Sequence, residues 1–182
     1  MQYITDLDFQ ILYWIQEHLR NGVFDAVMPY ITHLGSAGII WIVTAFIMIT
    51  SRKYRNTGIM ILIGMFLGLI VTNFLLKNVV ARERPCWIDT EISMLIAIPK
   101  DFSFPSGHTT SSVIASMMIF HGDKKSGVIA WIVAVLIIFS RMYLFVHFPT
   151  DILCGAVIGV VIGMITPGLT EKIMQRIQKS PA

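Results

Sequence analysis

The chain has 182 residues, 55% of them hydrophobic and only 14% charged, with a formal net charge of +3. A soluble domain is usually about one-quarter charged, so this composition excludes an ordinary soluble fold and points to one integral-membrane domain over residues 1–182. Mean hydropathy, at +0.71, agrees.

Two cysteines, Cys86 and Cys154, form no CxxC pair and no metal-ligand spacing, so neither a disulfide nor a metal site is expected. The first 20 residues carry Asp6, Asp8, Glu17 and Arg20 instead of a basic segment followed by an apolar one, so no signal peptide is expected.

Residues 4–20 are amphipathic. Ile4, Leu7, Ile11, Ile15 and Leu19 recur at helical spacing, with Gln10, Gln16 and Glu17 elsewhere on the wheel. Thr5 and Asp8 make a capping-box pattern. The segment is too charged to span comfortably. Tyr13 and Trp14 suit a helix lying along the membrane surface; the competing reading is a sixth span.

Asn21-Gly22 breaks that helix. Met28 to Thr50 is the first expected span, and Gly35-Ser36-Ala37-Gly38 within it would permit close packing. His33 reads as a packed or hydrogen-bonded residue, since no partner motif adjoins it. Thr57 to Val80 is the second span, with Gly58, Gly64 and Gly68 suited to tight contacts. The polar connection 81–105 is the longest and is punctuated by Pro85, Pro99 and Pro105. A third helix runs from Ser106 to about Phe120, and residues 121–127 form a turn. The fourth span is Val128 to about Val146, and the fifth is Pro149 to about Ile165, ended by Pro167-Gly168. A short basic amphipathic tail follows. The expected architecture is all-α: a polytopic transmembrane helix bundle of five spans plus the N-terminal amphipathic helix.

Five spans put Arg52, Lys53, Arg55, Lys124, Lys125, Lys172, Arg176 and Lys179 on one side. The positive-inside rule makes that side cytoplasmic. The connection 81–105 and the junction of spans four and five then face outward.

The stretch Ser140 to Asp151 closes a long apolar run and puts Arg141, His147 and Asp151 into its last turns. Ionisable groups at membrane depth are costly, which makes them a functional-site hypothesis. Pro149 ends one helix and suits the first turn of the next, so His147 sits at a junction with Asp151 one turn on. A carboxylate there can bind one ring nitrogen and leave the other free to attack. The alternative is a structural Arg–Asp pair between two helices, with His147 merely interfacial.

At the same outer face, Lys77 and Arg84 end span two, and Pro105-Ser106-Gly107-His108 opens span three. Three cations (Lys77, Arg84, Arg141) need an anion. The free N–H groups and dipole of a helix start at Ser106 and Gly107 favour phosphate. His108 can then serve as acid and base beside His147. No carboxylate cluster suggests a Mg²⁺ site. Arg82 and Glu83 read as loop surface, with a second phosphate as the other possibility for Arg82; His18 and His121 read as solvated.

Lys77-x6-Arg84-Pro85, Pro105-Ser106-Gly107-His108 and Ser140-Arg141-x5-His147-x3-Asp151 together resemble the three-part signature of the type-2 phosphatidate phosphatase superfamily. That family includes bacterial lipid phosphatases, glucose-6-phosphatases and vanadium haloperoxidases. The motifs lie within 77–151. The resemblance implies a hydrolase in which His147 forms a phosphohistidine, Asp151 orients it, and His108 protonates the leaving oxygen and then activates water. Lys77, Arg84, Arg141, Ser106 and the Gly107 N–H would bind the phosphate oxygens.

The expected substrate is a membrane lipid phosphate or pyrophosphate, first undecaprenyl pyrophosphate, since small outward-facing members often recycle carrier lipid. Phosphatidate or phosphatidylglycerophosphate is the alternative. The implied location is a multi-pass position in the cell membrane, with the site on the extracytoplasmic side. No cofactor and no nucleic-acid partner are expected. A haloperoxidase would use the same anion cradle, but those relatives are soluble. A non-catalytic lipid-phosphate binder or transporter would not need His147, Asp151 and His108 together.

Overall fold

The computed structural model describes residues 2–179, with side chains over 3–176. Among the described residues the regular structure is entirely helical. Helix α1 spans Gln2–His18, α2 Gly22–Leu34, α3 Ile39–Thr50 and α4 Arg55–Leu69. A π-helical segment, Ile70–Leu76, leads into α5 (Lys77–Val80). Then come α6 (Pro85–Ile88), α7 (Gly107–Gly122), α8 (Lys124–Tyr143) and α9 (Pro149–Lys179).

Among the described residues, three helical stretches are long and apolar enough to cross a membrane: Arg55–Ile88, Lys124–Tyr143 and Pro149–Arg176. The pair α2 and α3 adds a fourth if it is one bent span. The architecture is a polytopic transmembrane helix bundle, as the hydropathy indicates.

Helix α7 is its axis. Thr109, Thr110, Ser112, Val113, Ile114, Ala115, Ser116, Met118 and Ile119 are all buried, so the helix has no solvent or lipid stripe. Helices α4, α8 and α9 surround it. They approach closely because glycine faces it: a Cβ at Gly155 would lie 2.7 Å from the Ser106 carbonyl oxygen, and one at Gly64 2.6 Å from Ile114. The core around it joins Trp41, Ile61, Ile114, Ala134 and Ile137. Trp41 Nε1 donates to Ser112 Oγ at 3.0 Å, so the indole N–H is satisfied inside the bundle.

Four details differ from the sequence expectation. The first apolar span starts at Gly22, capped by the Asn21 side chain, and is not continuous. It bends by 46° at residues 35–38, where Ala37 (φ 50°) and Gly38 (φ 68°) turn left-handed. The small cluster therefore breaks the helix as well as packing it. Second, α9 runs on through Pro167 to Lys179 instead of ending there. Proline is tolerated inside transmembrane helices. Here the flanking Thr166 and Thr170 hydroxyls bond the carbonyls of Ile162 and Thr166, while the carbonyl that Pro167 leaves without its helical donor is that of Gly163. Third, the turn expected over 121–127 narrows to Asp123, which accepts from Ser126 N at 2.8 Å and so caps α8.

The fourth is α1. It begins before Thr5, so Thr5 is no N-cap. Its amphipathic face is docked: Leu12 and Ile15 are buried with Tyr143, Phe145 and Phe148 in a second core cluster. Phe9 meets the Phe148 ring edge-on, with centroids 5.1 Å apart. Tyr3, Ile4, Leu7 and Trp14 remain exposed on its other side. Residues 180–182, the end of the basic tail, lie outside the described residues.

Candidate active site

Three structural devices bring the candidate residues together. The π-helical segment shifts the helical phase just ahead of Lys77; the Lys77 N–H bonds back to the Thr72 carbonyl. π-turns inside α-helices are frequent at functional sites. The connection 81–105 folds back over the bundle, anchored by Trp87 Nε1 on the Pro99 carbonyl at 3.0 Å. The turn between α8 and α9 carries Phe145 at φ 57°, a left-handed conformation that costs a non-glycine residue energy and is held by burial against Phe9 and Tyr13. That turn presents His147.

His147 is 1% exposed. Its Nδ1 lies 3.5 Å from Asp151 Oδ2 and 3.4 Å from Ser103 Oγ. Its Nε2 is 3.3 Å from an Arg84 guanidinium nitrogen. Burial first, then Arg84, Arg141 and Lys77, push the imidazole well below its ordinary value. The ring is therefore neutral near pH 7 and keeps a lone pair. Asp151 Oδ2 also accepts from the Phe148 N–H at 2.9 Å and from Ser103 Oγ, while Oδ1 accepts from Arg82 at 2.7 Å. The sequence expects a hydrogen bond from Asp151 to His147; in the structure the two are in contact at 3.5 Å, with Ser103 Oγ slightly nearer to Nδ1.

Lys77, Arg84 and Arg141 converge on one cavity of about 760 Å³, which Gly107, His108 and His147 also line. All three cations are buried. Arg84 donates to the Val146 and Asp101 carbonyls at 2.6 and 2.7 Å, which fixes its fork. Arg141 Nη1 donates to Thr32 Oγ1 at 2.5 Å, but its Nε has no partner. His108 Nε2 is likewise buried without a partner. Two unsatisfied polar atoms at one cavity are what a site built for a polar ligand leaves open.

Ser106 is placed differently. It is fully buried and is not among the residues lining the cavity; its Oγ caps α7, accepting from Thr109 N and Oγ1 at 3.4 and 2.9 Å. An N-cap serine spends its oxygen on its own helix. Gly107, the next residue, does face the cavity, where a Cβ would lie 3.1 Å from Asn73 Oδ1.

Arg82 is not loop surface, nor does it face the cavity. It joins Asp151 and Asp8, both at 2.7 Å. His33 is exposed at the cavity wall instead of packed.

Two residues escaped the sequence reading. Ser103 binds Asp151, and Asp101 pairs with both Lys77 and Arg84, the latter at 2.9 Å. The only signal for Ser103 in the sequence is a small polar residue set between Phe102 and Phe104, just ahead of Pro105. Burial alone would raise Asp101, but the Lys77 hydrogen bond and the Arg84 charge bring it down to about 2. It is therefore ionised at any physiological pH. Its side chain remains 55% exposed at the cavity mouth.

Opposite this polar end, Ile42, Leu62, Met65, Phe66 and Leu69 form an apolar wall, supplied by α3 and α4. The buried, cation-rich end of the cavity is continuous with this apolar wall. The PAP2 superfamily model matches residues 57–175, and the chain belongs to that superfamily. Among its relatives, phosphatidylglycerophosphatase B of Bacillus subtilis is 32% identical over 173 residues, covering 88% of this chain and 82% of that one. Undecaprenyl-diphosphatase BcrC of the same organism is 28% identical over 157 residues, covering 86% and 79%. The crystal structure of the transmembrane PAP2-type phosphatidylglycerolphosphate phosphatase from B. subtilis superposes with a TM-score of 0.76 at 29% identity, covering 95% of this chain and 89% of that one. The chain is an integral-membrane hydrolase of this superfamily.

Asp101 occupies two of the three cations, so it competes with any bound anion. Asp101→Asn should tighten inhibition by orthovanadate about fivefold, the scale of a partly exposed ion pair of ~1 kcal/mol. Unchanged or weaker inhibition would show that Asp101 instead holds the cations in place.

Proposed function

We propose that the protein hydrolyses a lipid phosphate or pyrophosphate through a phosphohistidine, without a metal. One observation carries this reading: a single cavity joins three buried cations, His108 and His147 to an apolar wall. A phosphate group fits the first part and a lipid chain the second.

His147 is the nucleophile. Its Nε2 attacks phosphorus, forming the P–N bond as the P–O bond to the leaving group breaks. Asp151 holds Nδ1, so the imidazole is aimed and its developing positive charge is met by a carboxylate. His108, on the first turn of α7, gives its proton to the departing oxygen. A water molecule then attacks phosphorus, His108 takes its proton, and the P–N bond breaks to release phosphate. Lys77, Arg84, Arg141 and the Gly107 N–H stabilise the charge spreading over the equatorial oxygens, which is most of what phosphoryl transfer asks of a protein. Ser106 contributes as the cap that holds Gly107 and His108 at the helix start.

Undecaprenyl pyrophosphate is the first choice of substrate, supported by similarity to undecaprenyl-diphosphatases of B. subtilis and Sulfolobus acidocaldarius. The similarity to phosphatidylglycerophosphatase B keeps phosphatidylglycerophosphate, and with it phosphatidate, as the alternative. A leaving phosphate departs more readily than a lipid alkoxide, which must be protonated as the bond breaks. The purified protein in EDTA should release phosphate from both lipids, with the larger kcat/KM for undecaprenyl pyrophosphate. His108→Ala should slow phosphoenzyme formation from phosphatidate more than from undecaprenyl pyrophosphate, within the roughly 10²–10⁴-fold typical of general acids. Activity lost in EDTA and restored by Mg²⁺ would contradict the metal-free chemistry. Equal losses on both substrates would make His108 a phosphate ligand instead.

The site faces the extracytoplasmic side on this reading, supported by the basic residues Arg52, Lys53, Arg55, Lys124 and Lys125 at the opposite end of the helices. With Cys86 and Cys154 replaced by alanine, Lys100→Cys should react with an impermeant maleimide on intact cells, and Lys53→Cys should not. Both positions are exposed. The reverse pattern would put the site in the cytoplasm.

A further inference from the structure

The site as described rests on Asp151, but Asp151 does not end the chain of contacts. Behind it, on the side away from the cavity, lies a second buried carboxylate. Asp8, on α1, is 2% exposed although aspartate is almost never fully buried unless paired. Its partners are all near the catalytic turn. Asp8 Oδ1 accepts from the Thr150 N–H at 3.0 Å, and Oδ2 accepts from the Thr150 hydroxyl and from Arg82 Nη2 at 2.7 Å. Thr150 N–H is one of the unsatisfied donors of the first turn of α9, so α1 supplies the cap for the helix that carries Asp151.

Arg82 bridges the two carboxylates. Its Nη1 donates to Asp151 Oδ1 and to Thr150 Oγ1, each at 2.7 Å. Its guanidinium carbon lies 3.9 Å from the centre of the Phe148 ring. A planar fork held on three sides has little freedom, which suits it to fixing a carboxylate plane. Neither Asp8 nor Arg82 lines the cavity.

We propose that Asp8 and Arg82 are positioning residues of the hydrolytic reaction, and that α1 is therefore part of the catalytic apparatus. This rests on the reading of His147 as a nucleophile aimed by Asp151. Arg82 fixes the Asp151 carboxylate through Oδ1, leaving Oδ2 for His147, Ser103 and the Phe148 N–H. Asp8 balances the Arg82 charge. Without Asp8, the guanidinium would draw on Asp151 alone and weaken the support that Asp151 gives to positive charge on the imidazole. The alternative role, a clamp that merely keeps α1 attached, would act on stability and not on the chemical step.

The test measures single-turnover phosphate release from undecaprenyl pyrophosphate in mixed micelles, KM, and the vanadate inhibition constant. The panel is wild type, Asp8→Asn, Arg82→Gln, the double variant, His147→Ala and Ile15→Ala. Asp8→Asn keeps the size of the side chain. Ile15→Ala loosens α1 two turns away, in the same buried seam, without touching the carboxylates. Asp8→Asn and Arg82→Gln should each slow the single turnover about 10- to 100-fold, the usual consequence of freeing an orienting partner. KM and vanadate inhibition should stay within about twofold, and the double variant should be no worse than the poorer single one. Ile15→Ala should lower Tm yet turn over at the wild-type rate well below that Tm. Wild-type turnover in Asp8→Asn, with His147→Ala dead, would overturn this proposal and leave the nucleophile standing. So would a loss in Ile15→Ala matching that in Asp8→Asn. An active His147→Ala would remove both.

Discussion

The Asp151 carboxylate is fully buried, and three separate stretches of the chain are arranged to satisfy it. Arg82 comes from the start of the connection 81–105, Ser103 from its end, and His147 with the Phe148 N–H from the turn before α9. A buried carboxylate left without such partners costs several kcal/mol, roughly. The connection therefore cannot drift from the bundle without exposing that cost. Satisfying one charge fixes the positions of the loop, the turn and the helix start together.

The cavity on the other side of His147 has the opposite electrostatic character. Lys77, Arg84 and Arg141 face it with Asp101 as the nearest carboxylate. In a medium of low effective dielectric these cations repel one another, and an incoming phosphate relieves that repulsion. On the proposed reading, Arg141 Nε and His108 Nε2, buried without a protein partner, are left for the substrate's oxygens. The apolar wall from α3 and α4 opens where the 46° bend at residues 35–38 separates α2 from α3. Helix break and apolar wall are one feature: a straight span would put Gly38 and Ile42 elsewhere.

What was legible in the sequence followed from local rules. Hydropathy gave the helical bundle, and proline at the start of α9 placed His147 at a helix junction. The misreadings share a cause. Arg82 reaches Asp151 across 69 positions and Asp8 across 74, and no spacing rule encodes such pairs. A charged residue in a loop defaults to solvent unless its partner is known. Asp101 was missed for the same reason. Ser106 is a different case: a serine at a helix start can serve a ligand or its own helix, and the sequence does not show that Thr109 N and Oγ1 donate to its oxygen. Pro167 shows a rule that soluble proteins obey and membrane helices relax.

The central claim is that His147 carries the phosphoryl group. Rapid acid-free quenching of the purified enzyme with ³²P-labelled undecaprenyl pyrophosphate, followed by peptide mapping, tests it directly. The account predicts a transient acid-labile, base-stable label on the peptide containing His147, formed as fast as turnover and absent from His147→Ala. A label on another residue, or steady turnover with no label at all under conditions that preserve phosphohistidine, would contradict it.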